Sequence, residues 1–316
     1  MKKYGSFIIL GLLAIVAIIV MLGQRDDRAG LSAVMELASD AQQDLVQSTN
    51  KFIRLSDEEE NQLGQEVAGR IGYWGQEIPD LSAYVTAVAK PMVALVNRPK
   101  ISYTFRVVDT GQVNAFALPG GQIFVFRGLI DFADNEAELA SILGHEISHV
   151  DLRHCVELFQ LEVQLGKIVG RGFPGTLPEL LVRLPANLTV FAQRVLISGY
   201  RKYQEFDADV NGMNLATRSG YKPEAAIDVM KKLQDRFEGG KKPQNSPSNP
   251  IEEVAQATKV AADSYFRSHP PGEERVRNLK DNLVKIRGKE SPYLGKENLK
   301  RRIALSKQEF PNERVP

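Results

Sequence analysis

Asn135-Glu136-Ala137-Glu138-Leu139-Ala140-Ser141-Ile142-Leu143-Gly144-His145-Glu146-Ile147-Ser148-His149 carries the densest signal in this 316-residue chain. Apolar Leu139, Ile142, Leu143, Ile147 and Val150 recur at helical spacing, so one face of a helix is expected to be buried. Asn135 with Glu138 three residues on fits a capping box and marks the helix start. His145 and His149 are then i and i+4, one turn apart on one face, and both imidazoles can point at one ion. Glu146, beside the first histidine, can reach a water on that ion. H-E-x-x-H on a helix is the pattern of zinc-assisted peptide hydrolysis, with the histidines as ligands and the glutamate as base. The plainer alternative is a core helix that happens to carry two histidines. Against it, the chain has four histidines, and His145, His149 and His154 fall within ten residues.

A hydrolytic zinc site takes three protein ligands and keeps the fourth position for water. The metzincin pattern needs a histidine six residues after His149 with a glycine three after it. Cys155 and Leu152 stand there instead, so that pattern fails, although Cys155 is chemically able to bind zinc. His154 is one residue too early and on another face. An acid on a later helix is the better candidate, and Tyr200-Arg201-Lys202-Tyr203-Gln204-Glu205-Phe206-Asp207-Ala208-Asp209 supplies one. Glu205 and Asp209 share a helix face. Glu205 would bind zinc, while Asp209 would accept the free N–H of a ligating histidine. His154 is grouped with Asp209 as a residue that supports a ligand rather than the metal.

H-E-x-x-H followed by E-x-x-A-D on a later helix resembles the M48 family of zinc metalloendopeptidases. That family includes the CAAX prenyl-protease type, bacterial heat-shock membrane proteases and envelope quality-control proteases. Asn114-Ala115-Phe116-Ala117-Leu118-Pro119-Gly120-Gly121 is similar to the family's N-A-F-A-L-P-G-G strand. His145 to His154 is similar to its longer H-E-x-x-H-x-x-x-x-H run, and Ser268-His269-Pro270-Pro271 with Glu274 and Arg275 to its S-H-P segment. Order and spacing agree over residues 56–280. The resemblance implies a mostly α protein with a small β-sheet (α+β) and a zincin-like catalytic domain. It implies one zinc ion per chain held by His145, His149 and Glu205, with Glu146 as base, and misfolded envelope proteins as substrates. Asp207 stands where many members have glutamate or glutamine, at a position that is not a ligand.

Ile123-Phe124-Val125-Phe126 and Phe105-Arg106-Val107-Val108 read as neighbouring strands. Asn114, Ala115, Phe116 and Ala117 are expected to offer an exposed strand edge that an extended substrate can join. Main-chain pairing of that kind accepts many sequences, as a protease of unfolded chains requires. His269 is a candidate for a surface residue, a regulatory fourth zinc ligand or a transition-state contact. Arg201 and Arg275 are candidate oxyanion contacts, with ordinary salt bridging as the plainer role.

The length suits one catalytic domain with appendages. A net charge of +1 offers no electrostatic basis for nucleic-acid binding, and one cysteine precludes an internal disulfide. Met1-Lys2-Lys3 is basic, and Phe7–Gly23 is seventeen residues without a charged or strongly polar side chain. That is short for a membrane span and long for a signal-peptide core. No cysteine follows it, which argues against a lipoprotein anchor, and the nearest small-residue cleavage candidate, Ala29-Gly30-Leu31-Ser32-Ala33, lies well beyond it. Residues 1–23 are therefore expected to be a membrane anchor or signal segment, an uncleaved N-terminal transmembrane helix being preferred, and the resemblance implies a bacterial inner membrane. Lys2 and Lys3 favour a cytoplasmic N-terminus and a periplasmic catalytic domain, a rule weakened here by Arg25 and Arg28.

A tether at 24–55, a peptidase domain at 56–280 and a basic tail at 281–316 would follow. Ser56 with Glu59 reads as a capping box and Tyr84–Val96 as a helix closed by Asn97-Arg98-Pro99. Residues 157–198 form an insert, either a helical hairpin completing the core or a lid, and 239–250 form a loop between helices near 224–237 and 252–266. From Arg267 onward thirteen Lys and Arg face seven Asp and Glu, a net of +6. That composition fits a solvated surface, with contact to anionic lipid as the alternative. Unfolded protein or peptide substrates are the expected partners, with the membrane through the N-terminal segment. A membrane-anchored chaperone-like protein with a zinc site but little proteolytic activity is the competing function.

Overall fold

Local signals set the helix starts in this computed structural model, which describes residues 55–69, 75–160, 199–237, 269, 273–286 and 292–315. All of them belong to one unit, Leu55–Pro316. Ser56 Oγ accepts the Glu59 N–H (3.1 Å) while the Glu59 carboxylate accepts the Ser56 N–H (2.8 Å), and α1 (Asp57–Gly69) follows. α2 (Pro79–Val93) opens on a proline whose fixed φ suits a first helical turn. It begins and ends earlier than the expected Tyr84–Val96. The Asp151 carboxylate takes the N–H groups of Asn97 (2.9 Å) and Arg98 (3.1 Å), and these bonds draw the chain off the helical path. Pro91 inside α2 has no N–H for the Ala87 carbonyl, and the Ser306 hydroxyl donates to it instead (2.7 Å).

β1 (Thr104–Val108), β2 (Ala115–Leu118) and β3 (Gln122–Phe126) form a sheet of order β1-β3-β2. Phe105 pairs with Ile123 and Val108 with Phe126 in the parallel β1–β3 ladder, so the two predicted strands are neighbours. β2 runs antiparallel to β3 through Pro119-Gly120-Gly121, where Gly120 takes φ 68°. β2 is an edge strand, and all four of its residues are buried in this structure. α3 (Arg127–Phe132) follows β3 directly.

α4 (Glu136–Asp151) is the centre of the fold, buried at all sixteen positions. Asn135 Oδ1 accepts the Glu138 N–H at 3.0 Å, the cap its sequence predicts. α5 (Lys202–Arg218) crosses α4 glycine on glycine. A β-carbon on Gly212 would lie 2.5 Å from the His145 nitrogen, and one on Gly144 2.6 Å from the Gly212 carbonyl oxygen. That close approach brings Glu205 and Asp209 within reach of the histidines. Helix propensity alone favours Gly212→Ala by about 1 kcal/mol, whereas overpacking two backbones costs about 1–3 kcal/mol. The clash is against backbone atoms that cannot swing away, so Gly212→Ala is expected to lower Tm. An unchanged midpoint in thermal unfolding would show that the helices separate at no cost.

α6 (Glu224–Phe237), α7 (Glu273–Leu283) and α8 (Lys296–Arg301) follow. Residues 292–315 present their charge to water, as their composition suggests, and also pack against α4. Gly295 and Leu294 carbonyls accept the N–H groups of Glu136 and Ala137 (both 3.0 Å), two donors that the first turn of α4 leaves unpaired. The buried Glu136 carboxylate accepts from Tyr84 (2.8 Å), Tyr221 (2.9 Å) and the Leu305 N–H (2.7 Å). The lysines and arginines face water while Tyr293, Leu299 and Ala304 are buried.

Among the described residues no helix is long and apolar enough to cross a membrane. The candidate anchor at 1–23, residues 24–54 of the 24–55 tether, residues 161–198 of the insert, and the expected 239–250 loop and 252–266 helix lie outside the described residues.

Candidate metal centre

Four side chains from three places in the sequence converge. His145 and His149 project from successive turns of α4, with Nε2 atoms 3.0 Å apart. Glu205, in the first turn of α5, lies 3.5 Å from each Nε2. His269 Nδ1 is 3.1 Å from His145 Nε2 and 3.1 Å from Glu205 Oε1. One ligand atom from each residue lies within 4.8 Å of the others, and all four residues are buried. Three imidazole nitrogens and a carboxylate are a donor set that zinc accepts.

The surrounding bonds aim these donors. Asp209 Oδ1 is 2.9 Å from His145 Nδ1, which fixes the proton there and leaves Nε2 free to coordinate. His149 Nδ1 lies 3.0 Å from His154 Nδ1, and burial lowers His154 to about 4, so His149 has an imidazole partner where His145 has a carboxylate. Arg275 Nε and Nη2 donate to the two Asp209 oxygens (2.8 and 2.7 Å), and Nη1 sits 2.9 Å from Glu205 Oε2. Arg275 is therefore the salt-bridging residue of the plainer expectation, placed on the two acids of the centre. Arg201, at the start of α5, gives its backbone N–H to Gln204 (3.1 Å).

Burial and neighbouring charges shift the donors at this point in different directions. Burial raises the Glu205 carboxyl, but His269 and Arg275 outweigh it and hold Glu205 well below the usual carboxylate range. Burial acts likewise on Asp209, and Arg275 with His145 reverses it. Burial pulls His145 down, yet its bonds to Asp209 and Glu205 bring it up to about 9. His149, with no such carboxylate bond, is held well below its usual value by burial and by His145. A cation at the convergence point meets a pocket already arranged to stabilise it.

Glu146 differs from the other acids. It is fully buried, and neither carboxylate oxygen makes a hydrogen bond among the described residues. The His269 Nε2 lies 3.3 Å from Oε1. Burial pushes the Glu146 carboxyl up. An unbonded buried carboxylate is costly, and such a group calls for a chemical reason. Proton transfer is one, because a carboxyl raised toward neutrality both takes and returns a proton.

Cys155 is not among the converging atoms; its Sγ lies 3.1 Å from the Tyr200 hydroxyl. Asn114 is buried, its Oδ1 accepting the Ala115 N–H (2.9 Å), and Phe116 stacks on Phe124 at 5.2 Å. Sequence reasoning passed over Tyr200 and the Gly144–Gly212 crossing. A tyrosine five residues before Glu205 has no periodic partner to betray it, and a glycine in a helix reads only as a weak spot.

Comparison with known proteins adds to this geometry. A family model described as peptidase family M48 matches residues 79–283. The β-barrel assembly-enhancing protease of Yersinia pestis is 32% identical over 171 residues, 52% of this chain and 35% of that protein. The mitochondrial metalloendopeptidase OMA1 of Arabidopsis thaliana is 33% identical over 186 residues, 57% of this chain and 31% of that protein. The metalloprotease YcaL of Escherichia coli strain K12 is 24% identical over 222 residues, 70% of this chain and 74% of that protein. The aligned region thus spans about a third of the first two relatives.

Proposed function

The chain belongs to peptidase family M48, and from that premise we propose that it is a zinc-dependent metalloendopeptidase whose general base is Glu146. The observation that carries this is the buried, unbonded Glu146 carboxyl beside a converging set of zinc-type donors. His145, His149 and Glu205 would hold the metal, with Asp209 and His154 orienting the two imidazoles. Bound there, zinc supplies Lewis acidity that polarises a peptide carbonyl and acidifies water. Glu146 takes the proton from the attacking water and delivers it to the leaving amine. Asn114 precedes β2 and Ala115 to Ala117 lie on it, and a peptide joining that strand would be read through its main chain.

Unfolded or misfolded envelope proteins are the proposed substrates, and residues 1–23 the proposed membrane anchor, with the catalytic domain outside the cytoplasm. Support comes from the apolar run Phe7–Gly23 and from the relatives, one of them a protease named for β-barrel assembly. His269, against two ligand candidates and the base, acts at this centre either as a fourth ligand that closes it or as a transition-state contact.

One assay tests both statements. Casein cleavage by the purified chain is expected to stop with a chelator and return with zinc. No cleavage by zinc-loaded protein would favour the chaperone-like alternative, and cleavage that ignores the chelator would overturn the dependence on zinc. In the same assay His269→Ala raises activity if His269 closes the site and lowers it if His269 contacts the transition state.

A further inference from the structure

Tyr200 has no part in the steps above, yet it touches both halves of the centre. It is buried, and its ring lies flat on the His149 imidazole, centroids 3.7 Å apart and planes 14° apart. Its hydroxyl donates to the Ala117 carbonyl at 2.9 Å. A phenol has one proton to give, so the Cys155 thiol at 3.1 Å is the donor to Tyr200 Oη.

Strand geometry identifies that carbonyl. The Phe126 N–H donates to the Asn114 carbonyl (2.9 Å), so Asn114 and, two residues on, Phe116 turn their main-chain groups toward β3. Ala115 and Ala117 turn theirs to the outer side of β2. Of these outward groups, the Ala115 N–H is taken by Asn114 Oδ1 and the Ala117 carbonyl by Tyr200. An extended peptide that adds to this edge must pair with outward main-chain groups.

We propose that Tyr200 is a positioning residue that couples the metal centre to the substrate strand. Its ring holds the His149 imidazole in the plane that aims Nε2 at the metal. Its hydroxyl occupies the Ala117 carbonyl, the acceptor that an incoming peptide N–H takes over. Aromatic stacking restrains a ring against tilt without using its nitrogens, so the stack holds His149 in addition to its contact with His154 Nδ1. The hydroxyl keeps the strand edge bonded until a substrate displaces it. The strand half of the proposal rests on the peptidase reading; the metal half does not.

Two substitutions separate the halves. Tyr200→Phe keeps the ring and removes the hydroxyl. Its zinc affinity, measured by chelator competition, is expected to stay within about twofold of wild type. Its KM for an extended fluorogenic peptide is expected to fall by about two- to tenfold, with kcat held, because one neutral hydrogen bond no longer has to be displaced. Tyr200→Leu removes the stack and is expected to weaken zinc about tenfold or more, the scale seen when a ligand loses its orienting partner. Circular dichroism checks its fold, and Tyr200→Met carries the same arm should leucine not fold. Wild-type zinc affinity in the folded leucine or methionine variant would overturn the ring's role. An unchanged or higher KM in Tyr200→Phe would overturn the hydroxyl's. A wild-type chain that holds zinc but cleaves no peptide would refute the peptidase reading instead, and the zinc comparison would still decide the metal half.

Discussion

Glu146→Gln is expected to abolish most peptide hydrolysis while the protein keeps its zinc. The amide has the same shape and so fits a fully buried site. No hydrogen bond among the described residues is lost, because the carboxylate oxygens make none. What disappears is the group that takes and returns the proton, a contribution of about 10²–10⁴-fold in rate. Stability should hold or rise, since a buried carboxyl that burial itself pushes up is replaced by a neutral group. Zinc per chain by elemental analysis, Tm by calorimetry and casein cleavage together make the test. Substantial proteolysis by the zinc-loaded variant would remove Glu146 from the role of base.

Glu205→Ala is expected to do the reverse, losing the metal first and activity only in consequence. Glu205 is the one carboxylate among the four converging residues, and the His145 and His149 Nε2 atoms lie 3.5 Å from it. Loss of an outer partner costs about 10–100-fold in metal affinity; loss of the ligand itself should exceed about 100-fold. The fold should tolerate the change, because Arg275 keeps both oxygens of Asp209 and is not left as an unpaired buried charge. Zinc content after gel filtration in metal-free buffer is the readout. A zinc-replete Glu205→Ala protein would hand the third-ligand role to His269, the remaining donor in the cluster.

These expectations draw unequally on sequence and structure. The capping boxes at Ser56 and Asn135 and the helix Glu224–Phe237 were legible because caps and helical periodicity act within a few residues. The two pairs, His145 with His149 and Glu205 with Asp209, were legible for the same reason. The extent of α2 was misjudged because the Asp151 carboxylate that ends it lies 54 residues from Asn97. The docking of the tail was not legible because charge counts describe exposed side chains, while the docking runs through main-chain bonds from Leu294 and Gly295 to α4.

By itself, then, the sequence determined the capped helix starts, the facing pairs and the kind of chemistry that H-E-x-x-H with a later acid can perform. Those features depend on spacing along one element, and 3.6 residues per turn is a property of the backbone. Tertiary structure alone decided that Gly212 meets Gly144, that His269 stands against Glu146 and Glu205, and that Tyr200 bridges His149 and Ala117. Such contacts join residues tens of positions apart. They arise from close packing of whole elements, which no local pattern encodes.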